Sequence, residues 1–410
     1  MILSDMTYLP RTIEPIITRA SSLFKVVLLT GLRQVGKSTC LIKLANGQRT
    51  VVSLDNSTVI DDAINSTAEF FQHYQMPILI DEIQRVPKLF QQIKDEIDKR
   101  KNGGLVWATG SQRFELMKGV TESLAGRMIA FELLPLSIYE REGKGLEQKP
   151  YFPSVTGNNV LPVKNFEETW QIIWQGAWPR VIDLDSEMRA WFFDGLMQSY
   201  LERDIRTEAG IAKYIEFNRF LRAIASRTGQ ELRIGTLANE VGVSQNTIKS
   251  WLSVAVASGI VYLLPPYYAN INKQLTKSPK IYFTDTGLAA YLCGIKSAEA
   301  LMQYKDAGAF FETFVVMEIV KSWLHNGKRP DIFFYRDSKT GAEVDLLIRD
   351  NNVIYPVEVK SSMAPTKQAI KHFDALKSLP ETIGRGAVIC MTPNSYGVAE
   401  NVSAHSIWAI

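Results

Sequence analysis

Residues 31–38 read Gly-Leu-Arg-Gln-Val-Gly-Lys-Ser, a G-x-x-x-x-G-K-S run between a short apolar segment, Val26–Thr30, and a helical pattern from Thr39 to Ala45. Few segments leave a folding chain less freedom. Glycine tolerates the backbone angles that curl a loop until successive N–H groups converge, and convergent N–H groups bind phosphate oxygens. The loop must leave a strand and open a helix, whose N-terminus adds a partial positive charge. The spacing therefore places Gly31, Arg33, Gln34, Val35, Gly36, Lys37, Ser38 and Thr39 around a phosphate chain. Lys37 brings a cation to the terminal phosphates, and the Ser38 hydroxyl faces Mg²⁺. The implied ligand is a nucleoside triphosphate, ATP with Mg²⁺, and the implied reaction is its hydrolysis.

The flanking sequence supplies the sheet that such a loop needs. Val26–Thr30, Val51–Leu54, Ile78–Ile80 and Leu105–Ala108 are short continuous apolar runs separated by helical patterns. Runs of that kind suit a parallel sheet covered on both faces. Ile78–Ile80 ends in Asp81 and Glu82, and the carboxyl ends of parallel strands face the ligand crevice. Asp81 is expected to hold Mg²⁺ through water, and Glu82 to orient or deprotonate the attacking water. The run Leu105–Ala108 ends in Thr109-Gly110-Ser111-Gln112. Ser111 is taken ahead of Gln112 as a sensor of the terminal phosphate, with a plain polar turn as the alternative. Arg127 has two readings. It is either a cation reaching into a neighbouring subunit's site, which demands a ring or stack, or a surface arginine in a salt bridge.

Bulk properties narrow the remaining classes. A chain of 410 residues exceeds one core, so two or three domains are expected. A net charge of +3 restricts any nucleic-acid surface to a local patch. Cys40, Cys293 and Cys390 lack CxxC spacing, which argues for a reducing compartment and against a zinc site. The N-terminus lacks the pattern of a signal peptide, and the longest nearly apolar stretch, Leu252 to Leu264, is too short to span a membrane. A soluble cytoplasmic protein without a membrane partner is expected. The Gly-, Pro-, Asn- and Lys-rich stretch Arg141 to Asn165 reads as a boundary, giving parts at 1–145, 166–295 and 305–410.

In the middle part, Leu237, Ala238 and Val241 give one helix an apolar face, Gly242 permits a turn, and Ser244 caps a second helix. Ile248, Trp251, Leu252 and Ala255 form that helix's buried stripe. Its other face carries Gln245, Asn246 and Lys249, candidate DNA contacts. A wing is expected through Ile260–Leu264 and Lys280–Phe283, with Lys273, Lys277 and Lys280 near its tip. Winged helices also dock proteins, so DNA and a protein partner both stay open. In the last part, Glu312 lies on an amphipathic run, Phe310 to Ile319, followed by two strand-like runs, Glu343–Ile348 and Val353–Val359. Period-two geometry puts Glu343 with Asp345, and Glu358 with Lys360, on common faces.

Two resemblances follow from these residues. The segments GLRQVGKST, LIDEIQRVP, ATGSQ and SLAGR resemble a prokaryotic branch of the AAA superfamily of ATPases. In that branch the core is followed by a conserved C-terminal region of unknown function. The likeness continues through GAWPR, SYLERDI, TDTGL, GAFFETF, GAEVDLLI and PVEVKSS, with Leu32 where a proline is common. It implies ATP and a homo-oligomer, a ring such as a hexamer. The set Glu312, Asp345, Glu358 and Lys360 resembles the PD-(D/E)xK nuclease fold. That likeness implies carboxylates holding Mg²⁺ and Lys360 polarising a water. The expected fold class is α/β: an AAA-type P-loop parallel-sheet domain, a helical and winged-helix segment, and a restriction-endonuclease-like α/β domain. The leading expectation is an oligomeric ATPase that binds DNA and processes it. Its rival is a nucleotide-dependent protein-interaction switch with an inactive nuclease-like domain.

Overall fold

A computed structural model describes the chain except residues 1–6, 66, 112–123, 156–160, 202–212, 269–273, 275, 276 and 338. Chain contacts divide it into two compact units. The first comprises 1–149 with the short returns 257–259 and 324–328; the second comprises 150–256, 260–323 and 329–410.

The first unit starts with helix α1 (Glu14–Leu23), then β1 (Val26–Thr30), the glycine loop and α2 (Lys37–Ala45). Strands β2 (Thr50–Ser53), β3 (Ile78–Asp81), β4 (Val106–Gly110) and β5 (Met128–Glu132) complete a five-stranded sheet of order β2-β3-β4-β1-β5. Every pairing in it is parallel. All five residues of β1 and of β4 are buried, as continuous apolar runs require. Each buried Val or Leu there contributes about 2 kcal/mol. Helix α3 (Leu89–Asp98) turns Leu89, Phe90, Ile93 and Ile97 inward, an amphipathic stripe against the same core. Strand β5 was not anticipated from the sequence. It is an edge strand with one buried residue, Phe131, so it shows no continuous apolar run. A short helix, α4 (Ile138–Arg141), follows, with Ser137 and Glu140 forming a capping box.

The second unit holds α5 (Phe166–Gln175), α6 (Ser186–Ser199) and α7 (Tyr214–Ala225), then β6 (Gln230–Glu231), α8 (Ile234–Val241) and α9 (Gln245–Ala257). Strands β7 (Val261–Leu264) and β8 (Lys280–Phe283) pair antiparallel, in a three-stranded sheet of order β6-β8-β7. After α10 (Thr286–Leu292) comes α11 (Ala307–Leu324). The amphipathic helix expected around Glu312 is instead buried nearly all round: Phe310, Phe311, Phe314, Val315, Val316, Ile319 and Val320 cover several faces. A helix packed on all sides carries apolar residues all round.

A seven-stranded mixed sheet closes the unit. One side of it is the antiparallel run β9 (Ile332–Arg336), β10 (Glu343–Asp350) and β11 (Val353–Val359), with β9 at the edge. The β10–β11 register pairs Leu346 with Val357, so Asp345 falls beside Glu358 on one face. Among the described residues no helix is long and apolar enough to cross a membrane.

Candidate functional site

The loop leaves β1 at Gly31 (φ 146°) and enters α2 through Gly36 (φ 94°), with Gln34 also left-handed at φ 61°. Glycine at 31 is obligatory: a Cβ there would stand 2.1 Å from the Leu133 carbonyl oxygen. The Lys37 ammonium donates to the carbonyls of Gly31 (3.0 Å) and Leu32 (2.8 Å), so the lysine lies folded over its own loop. Ser38 donates to Asp81 at 2.5 Å, joining the start of α2 to the end of β3.

Thr109, at the end of β4, donates to the same Asp81 oxygen and accepts from the Glu82 backbone N–H at 3.1 Å. Glu82 itself is left-handed (φ 56°), a backbone region that residues other than glycine seldom occupy. Ser111 donates to Glu82 Oε2 at 3.0 Å and accepts from Gln84, which also donates to Glu82. Burial works to raise the Glu82 pKa. Lys37, the hydrogen bonds from Gln84 and Ser111, and Arg33 outweigh it, so Glu82 titrates below the usual carboxylate range. The sequence-selected Lys37, Ser38, Asp81, Glu82 and Ser111 are thus linked at one sheet edge. Thr109 and Gln84 are members that sequence reasoning passed over. Thr109 stood in the polar run at the end of β4, but period alone did not separate it from Ser111. Gln112 lies outside the described residues.

Arg127 is elsewhere. It precedes β5, whose Met128 pairs with Val26 at the start of β1, while the loop leaves after Thr30. That puts it roughly 13 Å along the sheet from the loop, at about 3.3 Å per residue. Its guanidinium grips Asp98 in two hydrogen bonds, 2.7 and 2.9 Å long, at an exposed position.

Behind the loop lies a buried ionic group absent from any motif. Arg11 donates to the Val35 carbonyl (2.7 Å) and the Leu134 carbonyl (2.9 Å), and its Nε lies 3.1 Å from Glu140. Glu140 accepts from the backbone N–H groups of Thr12 (2.9 Å) and Ser137 (3.0 Å) and faces His325 Nδ1 at 3.1 Å. His325 Nε2 accepts from the Leu134 N–H at 3.1 Å. Burial alone would raise the Glu140 pKa, but Arg11 and His325 hold it far below the ordinary carboxylate range.

In the second unit, strands β10 and β11 bring Asp345, Glu358 and Lys360 together at a cleft of about 440 Å³, also lined by Glu343, Lys371 and His372. Lys360 donates to Glu358 at 2.7 Å and lies 4.0 Å from Asp345, which accepts from the Val359 N–H. The second oxygen of Glu358 is buried without a hydrogen-bond partner among the described residues. Glu312 is not among the residues that line the cleft. It accepts from Tyr282 (2.6 Å) and from Lys280 (3.1 Å), and Lys280 also meets Glu343 at 2.8 Å. Burial, and then the neighbouring Asp345 charge, pushes Glu312 up to about 7 and Glu358 up to about 8. Lys280, expected near an exposed wing tip, is therefore corrected to a buried cation. Lys280 and Tyr282 share one face of β8, and that face meets Glu312. Among the described residues, no three His, Cys, Asp or Glu side chains are grouped so as to hold a metal ion.

On α9, Ser244 caps the helix by accepting from the Thr247 N–H, and Gln245, Asn246 and Lys249 are exposed. Lys277 is exposed; Lys273 lies outside the described residues. The GAWPR and TDTGL segments form one structural knot. Gly176 and Gly287 touch so closely that a Cβ on either would clash. Asp285 binds the N–H groups of Ala177 (2.6 Å) and Leu288 (2.7 Å). Arg189 closes the knot on the carbonyls of Trp174, Gly287 and Gln175.

A parallel sheet with this loop at the end of β1, flanked by β4 and β5, defines a P-loop nucleotide-binding domain. Residues 23–142 match the family model of the AAA domain. Residues 166–299 and 307–410 match models of two domains of unknown function, DUF8612 and DUF4143. The chain is 28% identical over 342 residues to the uncharacterized proteins Rv2008c of Mycobacterium tuberculosis and Mb2031c of Mycobacterium bovis. That alignment covers 83% of this chain and 71% of each relative. Among solved structures, the Walker-type ATPase PABY2304 of Pyrococcus abyssi superposes with a TM-score of 0.47 at 14% identity, covering 71% of this chain and 99% of that one. The RuvB Holliday junction branch migration motor of Thermotoga maritima superposes at 0.32 and 14% identity, covering 65% and 94%. Superpositions this loose bear on no residue of the site.

Proposed function

We propose that the protein is a Mg²⁺-dependent ATP hydrolase of AAA type that assembles as a homo-oligomer and acts on DNA. One observation carries the hydrolase reading: Ser38 and Asp81 meet at 2.5 Å while the adjacent Glu82 is kept ionised and aimed by Ser111 and Gln84. A hydroxyl and a carboxylate oxygen at that separation fit the all-oxygen shell that Mg²⁺ takes, so these two residues would hold it. Mg²⁺ bound there supplies neutralisation of the phosphate oxygens. Lys37 exchanges the loop carbonyls for the terminal phosphates. Glu82 accepts the proton of the attacking water, and Ser111 fixes the carboxylate that does so. Arg127 serves a neighbour's site in this scheme, which requires it to give up Asp98.

The DNA part draws on the middle region. Helix α7, strand β6, helices α8 and α9 and the β7–β8 hairpin follow winged-helix order, and Gln245, Asn246 and Lys249 are free to meet a groove. The cleft supports cleavage less directly. Lys280 and Lys360 already share its carboxylates, and the residues as placed do not fit a metal ion, so no cleavage step is derived. The same lysines favour the second reading, a nucleotide-dependent switch that binds a protein partner and keeps an inactive nuclease-like domain.

The test is ATP turnover by the full chain with Mg²⁺, alone and with single-stranded, duplex and branched DNA. Stimulation by one of these DNAs is expected. Turnover indifferent to all of them would remove the DNA reading and leave the switch, whereas no turnover at all would remove the hydrolase.

A further inference from the structure

A loop that cradles phosphate must turn its N–H groups inward and its carbonyl groups outward, and something must hold each outward carbonyl. Gln34 and Gly36 are both left-handed, so Val35 sits between two residues outside any helical or strand repeat. Its buried peptide depends on an external donor, and Arg11 is that donor at 2.7 Å. At the other end of the loop, Gly31 rests against the Leu133 carbonyl, and the Leu133 N–H donates to Thr30 at 2.8 Å. The next peptide, at Leu134, is held from both sides: its carbonyl by Arg11 and its N–H by His325. Glu140 ties the two holders together.

We infer that Arg11, Glu140 and His325 form a positioning clamp for the phosphate-binding loop, fixing residue 35 directly and residue 31 through the shelf at Leu133–Leu134. The inference rests on the nucleotide-binding reading of that loop. Arg11 touches no phosphate; it acts through the backbone that does. All three side chains are essentially shut from solvent, so no water can replace a lost donor at the Val35 carbonyl. His325 arrives from 185 residues beyond Glu140, in the short return 324–328. No local motif could have announced it.

The clamp is tested on the full chain with Arg11→Lys, which keeps a charge opposite Glu140 but cannot reach two carbonyls as a fork. The readouts are KM and kcat for ATP, the affinity for the fluorescent probe mant-ADP, and Tm. The KM and the mant-ADP Kd are expected to rise about tenfold, the loss of one charge-assisted hydrogen bond, while kcat at saturation stays within about twofold. His325→Gln, whose amide can accept from Leu134 and donate to Glu140, is expected to bind mant-ADP like the parent. His325→Leu is expected to weaken that binding several-fold. A fall in kcat and Tm together at unchanged KM and Kd would mean a scaffold role only, and would overturn the clamp. So would equal mant-ADP affinity in all four proteins. Absence of ATP turnover in the parent would sink the hydrolase reading alone, because the mant-ADP affinities still decide the clamp.

Discussion

At the end of β3, Asp81 takes hydrogen bonds from Ser38 and Thr109, and Glu82 takes them from Ser111 and Gln84. At the end of β11, Glu358 has one oxygen on Lys360 and the other buried without a partner among the described residues, with Asp345 beside it. The first pair of carboxylates is surrounded by donors from its own sheet edge and from α2. The second group is assembled from β8, β10, β11 and α11, and it depends on two lysines for its neutralisation. The surroundings push the two groups in opposite directions: Glu82 below the ordinary carboxylate range, and Glu358 well above it. Desolvation acts on both; the neighbouring charge comes next, the Lys37 cation pulling Glu82 down and the Asp345 carboxylate pushing Glu358 further up.

The strongest challenge to the comparison is to remove charges from the closed site. Lys37→Ala is expected to lower ATP turnover by about a thousandfold or more, since the cation works in a partly dry site where electrostatic stabilisation is large. Glu82→Gln should lower kcat by roughly a hundredfold to a thousandfold while leaving nucleotide bound, the signature of a lost general base. Steady-state kinetics with a nucleotide-binding assay reads both. Unchanged kcat in Glu82→Gln would show that the ionised, donor-ringed carboxylate is not the base.

What the sequence disclosed follows the same division. The loop, Asp81 and Glu82 were legible because one contiguous run and one strand end fix them, and strand ends in a parallel sheet share an edge. Strand β5 was not legible, because an edge strand with one buried residue lacks the continuous apolar signal. The β10–β11 hairpin was readable from its period, and so was the pairing of faces that sets Glu358 with Lys360. Lys280 was misplaced because a lysine at the start of a strand beside a polar loop looks exposed. Its burial depends on Glu312 and Glu343, 32 and 63 residues further along. Arg11, Glu140 and His325 left no trace, since a buried ion pair has no period and its members span most of the chain.

Varying the pH separates the two sites in one experiment. Glu312 and Glu358 are raised from an ordinary 4.5 to about 7 and about 8. Between the unfolded and folded values the folded chain binds more protons than the unfolded one. The stability of the second unit therefore falls as pH rises from about 5 to 8. The expected readout is a fall of several degrees, roughly 5 °C or more, in Tm across that window. Glu82 has the opposite sign: its contribution is present above the ordinary value and is lost only as pH falls through the lowered one. The first unit should thus hold level over the same window. Calorimetry at pH 5, 6.5 and 8 reads both, with Mg²⁺–ADP marking the first unit's transition by raising it. Asp345→Asn, which removes the charge next in weight after burial, should flatten the fall. A second-unit transition that climbs with pH would contradict the raised Glu312 and Glu358.

The smallest effect probes how tightly the nucleotide site is closed. Thr109 is fully buried, and its hydroxyl joins Asp81 to the Glu82 backbone. Thr109→Val keeps the shape and removes that one link. If the closure of Asp81 and Glu82 depends on several donors acting together, losing one should slow turnover by about tenfold, near 1.4 kcal/mol, with little change in KM. Asp81 would keep Ser38, and Glu82 would keep Ser111 and Gln84, so the loss should stay far below that of Lys37→Ala. Single-turnover kinetics beside Glu82→Gln gives the answer. A thousandfold loss would make Thr109 as critical as the motif residues and would mean that the site hangs on one hydroxyl. A tenfold loss would show the redundancy that the acidic cleft, with its unpartnered Glu358 oxygen, lacks.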